Sequence, residues 1–102
     1  MTYLADKDHL VTRLNHETAK VGWYELQTHY AAGNLLCVAA DGDLIKVAVA
    51  LTKDNSQQIK QWLEDHKVAA VTDQQALAWH ESDSTLWALV IPPFVLVQEP
   101  KV

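Results

Sequence analysis

The chain is predicted to fold as one α+β domain, with four or five helices packed on a small, mostly antiparallel sheet over residues 1–102. Three observations carry that prediction. The segment from Leu86 to Pro100 is almost wholly apolar and is cut by Pro92-Pro93, so it reads as a buried strand pair or a bent strand that must be covered on both faces. Upstream, apolar residues recur at helical spacing in several short segments separated by turn residues. Apolar residues make up 49% of the chain and charged residues 21%, a globular balance in a length that suits one domain.

The first helix is predicted to start about residue 6, behind Asp6 and Asp8, because Leu10, Val11, Leu14 and Val21 fall near one helical stripe. Gly22 interrupts it, leaving two helices or one kinked helix. Trp23, Leu26 and Tyr30 recur at i, i+3 and i+7, and Gly33-Asn34 supplies a left-handed stop. Leu35 to Ala39 reads as a strand running into the turn Asp41-Gly42. Asp43 is placed as the N-cap of a helix with the stripe Leu44, Val47, Ala48 and Leu51. Asp54 to Gln57 has the form of a relaxed capping box, opening a helix with Ile59, Trp62, Leu63 and His66 on one side. Val68 to Val71 reads as a short strand. Thr72 to Gln75 is a capping-box sequence flanked by Val71 and Ala76 as a staple, for a helix ending about His80 before the loop Glu81 to Ser84. Proline forbids the positive φ that tight primed hairpins need, so the last strands require either a wider hairpin or a bend at Pro92-Pro93.

The formal charge of −5 is evenly spread, with four basic residues against six acids in the first fifty positions and four against seven in the rest. Such a field repels phosphate backbones and anionic lipid. The N-terminal residues lack a charged start followed by an apolar stretch, and no apolar run reaches bilayer length, so a cytoplasmic location with no membrane association is expected. The single Cys37 has no internal disulfide partner and sits between Leu36 and Val38, where a buried, inert thiol is expected.

Candidate chemistry is sparse. His9 and His16 lie two helical turns apart, too far for adjacent ligands, and neither His16-Glu17 nor His80-Glu81 has the spacing of a zinc-hydrolase helix. No metal or cofactor is expected. The acid pairs Asp41/Asp43 and Glu64/Asp65 are explained by turn, cap and solvated helix face, and Gly42 has no glycine partners with which to build a phosphate loop. Of the four tryptophans, Trp23 and Trp62 lie on apolar stripes, whereas Trp79 and Trp87 are candidates for a partner-facing anchor. Residues 43–71 also run helix, turn, helix, strand, with a later strand pair that could serve as a wing, which is winged-helix-like. The second helix offers Gln57, Gln58, Lys60 and Gln61, but also Glu64 and Asp65, and few of the basic residues that phosphate anchoring requires.

The phrases Trp23-Tyr-Glu-Leu26, Asp43-Leu-Ile-Lys-Val-Ala48, Trp62-Leu63 and Pro93-Phe-Val-Leu-Val-Gln98 resemble the family of short bacterial proteins called domain of unknown function 2288, over nearly the whole chain. The resemblance implies a bacterial cytoplasmic protein and assigns no catalytic residue. Where the family pattern carries an acidic residue after the helix-opening Asp-Leu, this chain has Lys46, so that position holds no required carboxylate here.

The functional expectation is a small protein-binding or regulatory module that self-associates. The last strand, Phe94, Val95, Leu96 and Val97, is expected at a sheet edge near the interface, because it follows two prolines and is apolar on both faces. An acidic winged-helix-like nucleic-acid regulator is the alternative, and a small enzyme or metal-binding protein the third reading.

Overall fold

A computed structural model describes the backbone of residues 2–100 and the side chains of residues 9–100. Among the described residues five helices and five strands follow in the order α1 (Thr2–Glu17), β1 (Ala19–Gly22), α2 (Trp23–Ala31), β2 (Leu35–Val38), α3 (Leu44–Thr52), α4 (Ser56–Glu64), β3 (Val68–Ala70), α5 (Asp73–Glu81), β4 (Thr85–Ile91) and β5 (Phe94–Gln98). The sheet order is β1-β4-β5-β2-β3. Three of its pairings are antiparallel and one, β2 with β5, is parallel. The α+β class and the mostly antiparallel sheet are therefore as the sequence predicts.

The helices form a layer on each face. Because side chains alternate along a strand, Leu86, Ala88, Val95, Val97 and Leu35 point to one face and pack against Trp23 and Leu26 of α2 and Ala76 and Trp79 of α5. Leu89, Ile91, Leu96, Val38 and Val68 point to the other, against Leu14 of α1 and Leu44, Val47 and Ala48 of α3. Leu96 and Val97 are wholly buried, one on each face. Sequestering a side chain of this size contributes about 1.5–3 kcal/mol.

Three expectations are corrected here. The stripe through Val21 is not helical: α1 begins at Thr2 and stops at Glu17, and Ala19–Gly22 forms an edge strand on β4. Val21 matches the helical phase only because a four-residue strand is too short to display its own period; the Asp6 and Asp8 side chains lie outside the described residues. Pro92 and Pro93 make a two-residue connection, with Ile91 opposite Phe94, through a cis Pro92-Pro93 peptide. The prolines exclude a primed turn but not a type VI turn, which takes a cis proline at its third position. Finally β5 is not at an edge. It hydrogen-bonds to β4 on one side and β2 on the other, and its double-sided apolarity is met inside the chain because each face of the sheet has its own helices. The hairpin that could have served as a wing beside α3 and α4 is thereby the middle of the sheet.

Capping residues fix the helix ends. The carboxylate of Asp43 accepts from the Lys46 amide at 3.1 Å, and Thr72 and Gln75 form the reciprocal capping box. The α4 cap is Asn55, whose side chain accepts from the Gln58 amide at 3.3 Å, one residue beyond the predicted Asp54. Asp54 instead ends α3 in the left-handed region, φ 55°, and His66 (60°), Asp83 (51°) and Gly33 (79°) do the same after α4, α5 and α2. In each case the amide of the following residue returns to a carbonyl of the last helical turn: Asn34 to His29, Asn55 to Ala50, Lys67 to Trp62 and Ser84 to Trp79. These are Schellman closures, which satisfy carbonyls that a helix end leaves free.

Candidate functional site

A groove of about 730 Å³ opens on the sheet face that carries α1 and α3. Its position follows from the parallel pair. β2 and β5 end side by side, and the residues that follow them, Asp41 to Ile45 after β2 and Glu99-Pro100 after β5, form one wall. The last turn of α1 and the following residue, Asn15 and Thr18, form the other. Lys20, Trp87 and Gln98 make the floor: Lys20 is opposite Trp87 and Trp87 is opposite Gln98 in the sheet register, so all three project to this face. Ligand sites in open sheets commonly lie beyond the carboxyl ends of parallel strands.

Gln98 shapes the wall. Its side-chain amide donates to the carbonyls of Ala39 at 2.7 Å and Gly42 at 2.8 Å, tying the β2–α3 turn to β5. Gly42 is needed there because a Cβ would lie 3.0 Å from Val38 Cγ1 and 3.2 Å from the Ala39 carbonyl oxygen. Thus Asp41 and Asp43 are held on either side of a pinned glycine. Asp41 pairs with Lys67 at 3.3 Å, and Asp43 caps α3. Glu99 accepts from the Trp79 indole N–H at 3.1 Å. The Lys20 ammonium stands over the Trp87 ring, 5.1 Å from its centroid, a cation–π distance. Trp87 is nonetheless 37% exposed.

The six residues predicted near an interface are dispersed. Val95, Leu96 and Val97 are buried in the middle of the sheet and Phe94 is partly buried. Trp79 is also buried, tilted against Trp23 with ring centroids 5.6 Å apart. Trp87 alone of the six is in the groove. The residues that sequence reasoning did not connect to it are Lys20, Gln98 and Glu99, which need the strand register to come together.

Elsewhere, Cys37 is only partly buried, a correction to the expectation of full burial. The helix layer on its face ends beside it, as the exposed Ala69 opposite it on β3 shows. Burial still pushes its thiol pKa up, the Glu99 charge adds to this, and a contact from the Gln75 side-chain amide opposes it. Tyr30 donates to the Asp73 carboxylate, joining α2 to α5, and that hydrogen bond raises the phenol pKa, with burial and the Asp73 charge acting in the same direction. Gln57, Lys60, Gln61, Glu64 and Asp65 are exposed on and just after α4, and Gln61 donates to Asp65 at 3.1 Å. His9 and His16 are exposed, and among the described residues no group of three or more His, Cys, Asp or Glu side chains gathers to hold a metal ion. No helix in the described residues is long and apolar enough to cross a membrane.

Fold and groove together define a small two-faced α+β sandwich with a polar groove at one end of its sheet. The chain belongs to the family described as protein of unknown function (DUF2288), whose model matches residues 9–99. It is similar to the NMR solution structure of PA1075 from Pseudomonas aeruginosa, with 39% identity, 92% of this chain and 87% of that chain covered, and a TM-score of 0.80. No curated protein matches it.

Proposed function

We propose that the protein is a cytoplasmic protein-binding module that engages its partner through the groove between α1 and the start of α3. The observation that carries this reading is the half-exposed Trp87 on the groove floor. An aromatic ring in a concavity with a polar rim has the anatomy of an interface anchor, since it buries large apolar area with few rotatable bonds once water leaves. The pinned wall built by Gln98 and Gly42 supports the same reading, because a preformed surface loses less freedom on association.

Affinity capture from a bacterial lysate, with wild-type and Trp87→Ala baits side by side, tests it. A discrete protein retained by the wild type and depleted on the variant is expected, with protein and nucleic acid measured on the same eluate. Identical protein profiles from the two baits would overturn the reading, and nucleic acid retained without protein would favour a nucleic-acid regulator instead.

A further inference from the structure

We draw no further inference here: the strongest candidate, the outer edge of β3 (Val68–Ala70), which ends the sheet order with Ala69 and Ala70 exposed, carries nothing because nothing in the structure shows what covers it, and an edge of three residues with small side chains selects neither a second copy nor any other strand.

Discussion

At the scale of single residues, the side chains that bridge elements carry the most testable chemistry. Tyr30 and Asp73 join α2 to α5 by a hydrogen bond that raises the phenol pKa. The folded form thus holds its proton above pH 10, and the sign follows: the pair's contribution is complete below the unfolded value near 10 and is lost as pH rises through the higher folded value. An alkaline absorbance titration is expected to show one phenol ionising above the usual range, which Tyr30→Phe removes and Asp73→Asn lowers. A thiol reagent should label native Cys37 more slowly than the unfolded chain, because only the thiolate reacts and burial disfavours it; equal rates would contradict the raised pKa. Little of this was legible in the sequence. Asp43 and the Thr72/Gln75 box are local devices written within four residues, so they could be read directly. Tyr30 and Asp73 are 43 positions apart, and nothing in either neighbourhood announces the other.

The same distinction governs the elements. Helices α3 and α4 were legible because each combines an apolar stripe with a cap, and α5 because of its capping box and flanking staple, whereas β1 was not, since four residues show no reliable period. The helix ends show a subtler limit. Gly33 could be read as a stop, but Asp54, His66 and Asp83 adopt the same left-handed conformation without being glycine, because the Schellman bonds and the turn that follows over-determine them. A non-glycine residue carries a steric cost there, so His66→Gly is expected to stabilise the protein by about 0.5–1 kcal/mol, less what glycine gives back as unfolded-chain entropy. Thermal or urea unfolding measures it, and a destabilised variant would mean that the imidazole makes a contact outweighing that cost. Thr72→Ala, by contrast, should cost about 1 kcal/mol by removing the cap of α5.

For the molecule as a whole, the apolar run at Leu86 to Pro100 marks the core in the sequence but does not show how it is covered. Double-sided apolarity is equally compatible with a central strand and with an edge strand hidden by another copy, and only the parallel pairing with β2 distinguishes them. With β5 central, Val95→Lys and Leu96→Lys, which point to opposite faces, should both abolish the cooperative unfolding transition, and Leu96→Ala should cost about 2–5 kcal/mol. A folded Leu96→Lys protein would place the strand elsewhere. The position of β5 also has a consequence for the order of biosynthesis. β1 has no strand to join until Thr85–Ile91 exists, and the β2–β3 pair is linked to it only through Phe94–Gln98. A nascent chain halted before residue 94 therefore holds helices with apolar faces and no finished sheet to receive them, so that native folding waits until the last strand has left the ribosome. Ribosome-stalled chains of increasing length should stay protease-sensitive until residue 98 clears the exit tunnel, then become resistant in a single step.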